Sequence, residues 1–320
     1  MEPEHWPNPV TTRSLVMLQI ASELVSEGDL SVIQAKVQLK GQGAADWKLQ
    51  LYATGTFDGV DAIVDGAADL ATINPSAGLM LAYKGLGPYN TPQPVRTVAV
   101  IPSLDQFVFA VRPETGITTF EEIGERRFPL KVSLRGQRNH CLNLVINDIS
   151  AAAGFSLDDI RAWGGEPRYE ALVPWTDSEK FKALVRGDID AIFDEAAYVW
   201  VDAALDAGMT ILPLAEATVR KLESLGYRRA FLRKSVFPKL PADILTLDFS
   251  GWPIFVHAEL DDATVTRFCA ALDARKHLIR WEGEGPLPVE RMCREAPDTP
   301  QQVPVHPAAE RHWRQCGYLD

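Results

Sequence analysis

The sequence predicts an α/β protein of two lobes, each a mainly parallel sheet flanked by helices. Strand and helix patterns alternate along most of the chain, which is typical of this fold class. A helix, a glycine and an apolar run occur twice, at Gly66 followed by Asp69 and at Gly187 followed by Asp190. The 320 residues, 46% of them hydrophobic, suffice for two medium-sized cores.

The first part of the chain predicts a helix and then a strand–helix–strand unit. Residues 11–30 carry apolar residues near helical spacing, which predicts an amphipathic helix that begins at a threonine cap and ends at Gly28. Residues 47–77 predict a strand, a glycine turn, a helix and a second strand, and such a unit requires parallel pairing. Apolar runs at 95–102 and 106–113 predict two more strands.

The same alternation starts again after residue 113. A strand is predicted at 130–136, followed by a helix over 139–155 that ends near Gly154. Residues 176–196 repeat the order of helix, glycine and strand, and 210–214 predicts a further strand. Each copy of this device is expected to serve its own sheet, because the glycine reverses the chain and the apolar run enters a buried sheet.

Two sheets predict two lobes and a ligand cleft between them. From about residue 245 the sequence predicts a strand, a helix with an acidic cap and a short final helix. We expect lobe 1 to contain residues 1–112 and 245–320, and lobe 2 to contain residues 113–244. In open α/β sheets, ligands bind beyond the carboxyl ends of strands and against helix N-termini.

Composition excludes several classes of partner. The formal net charge of −11 disfavours binding to nucleic acid and to anionic lipid. The sequence contains no run of roughly 20 apolar residues, so no membrane insertion is expected. The first 25 residues are acidic at the start and interrupted by Glu23, so they predict no secretory signal.

The cysteines predict neither a metal site nor a cofactor. They show no CxxC spacing, which makes zinc binding improbable. The main expectation is four reduced, partly buried thiols, at Cys141, Cys269, Cys293 and Cys316. A disulfide between Cys293 and Cys316 is the alternative if the chain is exported.

The strand-to-helix turns supply the candidate ligand-binding residues. Free backbone N–H groups at a helix start, with hydroxyls and amides, can hold a carboxylate or a similar anion. The candidates in lobe 1 are Thr54, Gly55, Thr56, Asn74 and Ser76. Those in the lobe 2 turn are Arg135, Gly136, Gln137, Arg138 and Asn139. The hydroxyl residues could equally be plain N-caps.

Charged and aromatic candidates lie near the same cleft. Arg135 and Arg138 each offer a bidentate fork to a ligand carboxylate, although a solvated surface pair is the alternative. Asp194 and Glu195 follow an apolar strand, so they either receive a ligand ammonium group or pair with one of these arginines to brace the hinge. Trp175 either stacks on the ligand or is a half-buried loop residue.

Signatures of catalysis are mostly absent from the sequence. There is no GxSxG elbow, no phosphate-binding GxxxxGK[ST] loop and no complete dinucleotide fingerprint. His140 and Cys141 stand together at a predicted helix start, but consecutive helical residues point in different directions. We therefore assign no catalytic residue.

The motifs together resemble the TAXI family, which are extracytoplasmic solute-binding receptors of TRAP transporters. The resemblance runs from about residue 13 to 319. It is carried by "YATGTFDGVDAIVDGAADLATINPSA", "TGITTFEEIGERRFPLKVSLRG", "FKALVRGDIDAIF" and the closing "VPVHPAAERHWRQCGYL". Two segments depart from the family pattern: the residues before Arg13, and the lobe 2 turn at 136–139, which is bulkier and more charged than the family's Gly-Ser-Gly.

The resemblance implies a type II periplasmic-binding fold, a Venus-flytrap that closes on a small carboxylate-bearing solute. Amino acids and organic acids are the expected ligands, and a membrane permease is the expected partner. The family's binding positions map onto the lobe 1 and lobe 2 turns named above. The implied location is the periplasm, with the cytoplasm as the alternative, and the implied state is a monomer or weak dimer without cofactor.

Two other functions remain open from the sequence. The first is an intracellular enzyme on the same fold, such as an aromatic-acid decarboxylase, which would desolvate a substrate carboxylate between Arg135, Arg138 and the acidic pair Asp194/Glu195. The second is a sensor or effector-binding domain that acts through a partner protein.

Overall fold

Helices and strands alternate along the chain in a computed structural model that describes residues 9–26, 32–41, 47–170 and 173–320. The helices are α1 (Pro9–Ser26), α2 (Asp58–Val64), α3 (Ser76–Lys84), α4 (Glu122–Glu125), α5 (Cys141–Ala152), α6 (Leu157–Ala162), α7 (Glu179–Arg186), α8 (Ala197–Asp206), α9 (Glu216–Leu225), α10 (Asp262–Arg275), α11 (Val289–Met292) and α12 (Pro307–Gln315). The strands are β1 (Gln34–Gly41), β2 (Trp47–Thr54), β3 (Leu70–Thr72), β4 (Val95–Ile101), β5 (Val108–Val111), β6 (Lys131–Arg135), β7 (Glu166–Glu170), β8 (Ala191–Asp194), β9 (Thr210–Ile211), β10 (Arg229–Leu232), β11 (Ile244–Leu247) and β12 (Trp252–His257).

The strands form two five-stranded sheets, which confirms the prediction of two α/β units. The first sheet has the order β1-β2-β3-β12-β4, and the second sheet has the order β7-β6-β8-β5-β9. Strands β10 and β11 form a separate antiparallel pair. The largest hydrophobic cluster contains residues of both large sheets, such as Phe255 of the first and Phe193 of the second. A second cluster contains further residues of the second sheet, and a third contains further residues of the first sheet.

Both large sheets are mixed, so the expectation of mainly parallel sheets was wrong. Strand β2 pairs parallel with β3, and β6 pairs parallel with both β7 and β8. The other neighbours are antiparallel. Strand β5 is the first strand after the chain crosses to the second sheet, and β12 is the first strand after it returns to the first sheet; each runs against both of its neighbours. Strand β1 adds one further antiparallel pair, with β2.

The repeated glycine device has the same structure in both sheets. The two turn glycines have positive φ of 68° and 85°. The aspartate three residues later then binds the backbone of the neighbouring strand twice. Asp69 accepts from the Gln50 N–H through Oδ2 and donates its own N–H to the Gln50 carbonyl, both at 2.8 Å. Asp190 makes the same pair of bonds with Lys131, at 2.8 and 2.7 Å.

Two crossing segments, 102–107 and 248–251, connect the sheets side by side. The Phe249 N–H donates to the Asp105 carbonyl at 2.9 Å. The Ser250 hydroxyl donates to that same carbonyl and accepts from the Asp105 N–H, each at 3.0 Å. Strand β5 already belongs to the second sheet, so the first crossing is complete before residue 108, earlier than the boundary expected at 112.

The N-terminal region differs from its prediction. Helix α1 begins at Pro9, ahead of the expected threonine cap, and Gly28, its expected end, lies outside the described residues. Among the α1 side chains that the structure describes, only Leu18 and Ser26 are partly buried. Strand β1 was not predicted. None of the described helices combines the length and the apolar character needed to cross a bilayer.

Candidate functional site

Turns from the two sheets meet directly at the place predicted for the cleft. We call this meeting place the junction; its residues are Gly55, Thr56, Asn74, Ser76, Asp105, Arg135, His140, Asp194 and Glu195. Thr56 and His140 form an antiparallel β-bridge between the two sides. Beside it, the Asn139 amide donates to the Asp58 carboxylate at 3.1 and 3.3 Å. Turns that the sequence singled out on both sheets therefore contact each other here.

The hydroxyls of the first-sheet turns are not helix caps, so that alternative was wrong. Helix α2 has Phe57 at its N-cap and α3 has Pro75, and neither makes a side-chain cap bond. The Thr54 and Thr56 hydroxyls lie 3.1 Å apart, and the Thr54 N–H donates to the Thr72 hydroxyl at 3.1 Å. These bonds fix the turn that carries Gly55.

Two buried polar atoms of the first-sheet turns have no hydrogen-bond partner within the described chain. They are Oδ1 of Asn74 and Oγ of Ser76, a residue that is 1% exposed. A Cβ placed on Gly55 would lie 3.6 Å from Cβ of Asn74 and 3.7 Å from Nε2 of His140. Buried polar groups without partners usually bind water or a ligand. A methyl group at Gly55 would thus already touch both residues, and the first-sheet turns with their unpartnered polar atoms are the best candidates for ligand contact.

A buried ion network forms the second-sheet side of the junction. Arg135 donates to one oxygen of Asp194 through Nε at 3.2 Å and Nη2 at 2.6 Å, and it also donates to Glu195. Lys180 binds the other oxygen of Asp194 at 2.8 Å. Burial raises the pKa of Asp194, but Arg135 and Lys180 outweigh this and hold the pKa below its usual value. Of the alternatives that the sequence left open, the structure has the acidic pair bound to Arg135.

Asp105, in the crossing segment 102–107, lies next to this ion network and binds the start of α8. Its carboxylate accepts from the N–H groups of Ala196 and Ala197 at 2.8 and 3.0 Å, at the start of α8. Burial, and then the neighbouring Glu195, raise the pKa of Asp105 well above its ordinary value. The helix start therefore holds a carboxyl group of the crossing segment in place.

His140 caps α5 and is neutral at physiological pH. Its Nδ1 accepts from the Leu142 N–H at 3.2 Å, so the neutral ring carries its proton on Nε2. Burial, and then the positive charge of Arg135, lower the pKa of His140 to about 4. Burial also raises the pKa of Cys141, which argues against a Cys/His nucleophile.

The burial of His140 predicts a pH dependence of stability. Its folded pKa of about 4 is below the unfolded value of 6.5, so its contribution is present above pH 6.5 and is lost as the pH falls towards 4. We expect the free energy of unfolding to fall by up to about 1.4 kcal/mol per pH unit in this window. His140→Asn keeps a capping side chain and should lose most of this slope in urea titrations. Parallel curves for the two proteins would contradict the assignment.

The remaining candidate ligand-binding residues lie outside the junction. The Gly136 N–H donates to the Glu170 carbonyl at 2.6 Å, and the Gln137 carbonyl accepts from the His140 N–H at 3.0 Å. Arg138 is exposed, and its guanidinium lies 4.2 Å from the centre of the Tyr169 ring. Trp175 is 50% exposed and lines a surface depression with Asp177, Ser178 and Glu179. The structure gives neither Arg138 nor Trp175 a hydrogen bond to the described junction residues.

A cavity of about 390 Å³ adjoins the junction on the first-sheet side. It contacts the turn residues Thr54, Gly55 and Asn74. The rest of its lining is mostly apolar and consists of Val25, Val32, Ile33, Gln34, Ala35, Ala53, Thr72, Ile73, Ile101 and Trp252. This volume is within the usual range of small-molecule sites.

Sequence reasoning missed three junction residues or partners, namely Asp105, His140 and Lys180. His140 had a signal, since it follows Asn139 at a predicted helix start, but it was considered only as part of a nucleophile. Asp105 and Lys180 reach the network through the crossing segment and α7, and no local pattern indicates that. Across the described residues, no group of three His, Cys, Asp or Glu is arranged to hold a metal ion, and the four cysteines are free thiols.

Comparison with known proteins gives structural similarity only. No family model matches the chain, and no curated protein does. The chain is similar to the periplasmic aliphatic sulphonate binding protein SsuA from Escherichia coli, with 16% identity, 67% of this chain and 54% of that chain covered, and a TM-score of 0.33. The match thus spans about half of that protein.

Two further solved structures show similarity of the same order. One is an ancestral arginine-binding protein bound to arginine, with 14% identity, 70% of this chain and 73% of that chain covered, and a TM-score of 0.33. The other is the L-cystine solute receptor of Neisseria gonorrhoeae in its unliganded open conformation, with 12% identity, 70% and 68% covered, and a TM-score of 0.28.

Proposed function

We propose that this chain is a solute-binding protein that captures a small molecule by closing two α/β lobes about the crossing segments 102–107 and 248–251. The observation that supports the proposal most strongly is the turn at Asn74. This residue lines a cavity of ligand size together with Gly55, and its buried Oδ1 has no hydrogen-bond partner within the described chain. Closure would bury a ligand against both sides, and the ligand would stabilise the closed state in return.

The finer assignment rests on the family resemblance. It comprises the type II periplasmic-binding fold, a periplasmic location and delivery to a membrane permease of a TRAP transporter. The lobe division is part of the same proposal. The expected boundary at residue 112 is moved to 107, because β5 belongs to the second sheet, so that lobe 1 has residues 1–107 and 245–320 and lobe 2 has residues 108–244. The resemblance also suggests a carboxylate ligand, but the pairing of Arg135 with Asp194 and Glu195 argues against that part.

The proposed function is tested by native mass spectrometry of freshly purified protein. We expect a small molecule that stays bound in the native spectrum and is released on denaturation. Asn74→Ala should reduce the fraction of loaded protein, whereas Arg186→Ala, at an exposed residue of α7, should not. A wild-type spectrum without any added mass, together with no thermal shift across a broad solute library, would contradict the proposal.

A second prediction concerns closure. Gly78 lies in α3, and a Cβ placed on it would lie 2.7 Å from Sγ of Cys141, the first residue of α5 on the second-sheet side. Gly78→Ala should therefore push the two sides apart, at a cost of about 1–3 kcal/mol in the closed state. In affinity this corresponds to a loss of roughly 5- to 150-fold.

The control for this prediction removes the atom that would lie nearest; the next, Cδ1 of Ile73, would lie 3.0 Å away. In Gly78→Ala/Cys141→Ala the sulfur is absent, so most of the ligand retention should return. The measurement is the loaded fraction in native mass spectra of the two variants. Retention equal to wild type in Gly78→Ala alone would show that the closed state does not need this close approach.

A further inference from the structure

Strand β1 leaves one edge of the first sheet without a neighbour among the described strands. It is eight residues long and pairs only with β2. The opposite edge of the same sheet is covered, since Thr97 of β4 forms a parallel bridge with Val305 and its carbonyl accepts from the His306 N–H at 2.8 Å. An uncovered edge presents a row of N–H and C=O groups, and another polypeptide can pair with it.

Lys36, Lys40 and Lys48 share one face of the β1–β2 pair, and all three are exposed. Lys40 lies directly opposite Lys48, and like charges in that position destabilise a strand pair. Nζ of Lys36 lies 4.2 Å from the centre of the Tyr52 ring. None of the three lysines has an ion pair with a described residue, and neither strand contains an acidic residue. This face is therefore positive on a chain whose formal net charge is −11, and an anionic group would relieve its repulsion.

The open edge and the basic face belong to the same strand, and together they specify a partner. Backbone groups along an edge recognise an extended polypeptide, whereas a lipid headgroup offers no such row of donors and acceptors. Carboxylates at alternate positions of that polypeptide can lie on the lysine face, because side chains of a strand alternate between faces. A second copy of this chain is a poorer occupant, since its own β1 brings the same lysines and no carboxylate.

We infer that the outer edge of β1 binds an extended acidic segment of a partner protein by strand addition. Two carboxylates four residues apart in that segment face Lys36 and Lys40, which have the same separation in β1. The inference goes beyond the proposed capture of a solute and holds whether or not a solute is bound.

The test measures fluorescence anisotropy of labelled, capped eight-residue peptides with the full chain at low ionic strength. The peptides alternate threonine and valine, and carry either two glutamates or two lysines four residues apart. We expect the glutamate peptide to bind more tightly than the lysine peptide, by about tenfold or more. Lys36→Glu/Lys40→Glu should reverse this order. Lys182→Glu/Lys221→Glu changes the net charge equally at exposed positions of α7 and α9, and should preserve the order.

Backbone methylation separates strand addition from simple attraction between charges. Two versions of the glutamate peptide carry N-methyl groups on alternate residues, one on the odd positions and one on the even positions. Only one of these sets of N–H groups can point at β1, so one version should lose binding and the other should retain it. The double variant at Lys36 and Lys40 is expected to fold, because it places a carboxylate opposite Lys48.

Equal binding of the two peptides, or an unchanged order in Lys36→Glu/Lys40→Glu, would overturn the inference. Unchanged binding of both methylated peptides would also overturn it, since the face would then attract anions without strand addition. Phosphatidylserine vesicles that displace the glutamate peptide and lose binding in the same variant would assign the face to a membrane surface instead. A wild-type dimer in sedimentation that the glutamate peptide dissociates would assign the edge to a second copy.

Discussion

Replacing Arg135 by alanine is expected to lower the free energy of unfolding by about 3–5 kcal/mol, because the change leaves two buried carboxylates without their shared cation. Arg135 donates three hydrogen bonds to Asp194 and Glu195, and all three side chains are almost fully buried. The measurement is urea denaturation followed by circular dichroism at pH 7. Because the alanine variant can fail to fold, Arg135→Lys is measured beside it; it keeps the charge but not the planar fork, and should show a smaller loss.

Arg138→Ala is the matched control, three residues away in the same turn. Its exposed guanidinium stacks on Tyr169 and contributes at most about 1 kcal/mol. From the sequence alone, Arg135 and Arg138 are equally good candidates to bind a ligand carboxylate. A loss below about 1 kcal/mol in Arg135→Ala, or equal losses in both variants, would contradict the buried network.

The second large effect is expected at Phe120, in the core beneath the second sheet. Its ring is fully buried, and its centroid lies 4.5 Å from that of Phe109 and 5.3 Å from those of Phe155 and Phe193. Phe120→Ala should cost about 3–5 kcal/mol, since it removes the contacts and leaves a cavity. The change in urea midpoint at constant slope measures this cost.

Two further variants serve as comparisons for Phe120→Ala. Phe120→Leu fills more of the space, so it should lose less stability and remain measurable if the alanine variant does not fold. Phe231→Ala, at a half-buried position of β10, should cost less than half as much as Phe120→Ala. If Phe120→Ala and Phe231→Ala were equally mild, the aromatic cluster would not be the core that the second sheet is built on.

Most of the fold could be predicted from local pattern. The repeated glycine and aspartate units identified two sheets, because a left-handed turn and a buried strand leave a clear signal in sequence. The mixed strand directions could not be predicted, since they depend on how β5 and β12 cross between the sheets. Strand β1 was missed although Val37 and Leu39 alternate with polar residues, which is a signal for a strand.

The candidate site was predicted in part. The turns after β2, β3, β6 and β8 were found because the carboxyl ends of neighbouring strands lie at one edge of a sheet. Whether Arg135 binds a ligand or the protein's own Asp194 depends on distances that only the tertiary structure fixes. Asp105 reaches the junction through a crossing segment, and its role is visible only once the two sheets are assembled.

The central claim is that two sheet-and-helix lobes move about the crossing segments and are held together by a bound solute. Single-molecule energy transfer between dyes on Asp158→Cys in α6 and Arg267→Cys in α10, in a Cys316→Ser background, tests it directly. We predict a broad distance distribution for protein stripped of its retained molecule and a single narrow, shorter one after that molecule is returned. One unchanged distribution in both states, despite binding shown by a thermal shift, would contradict the account.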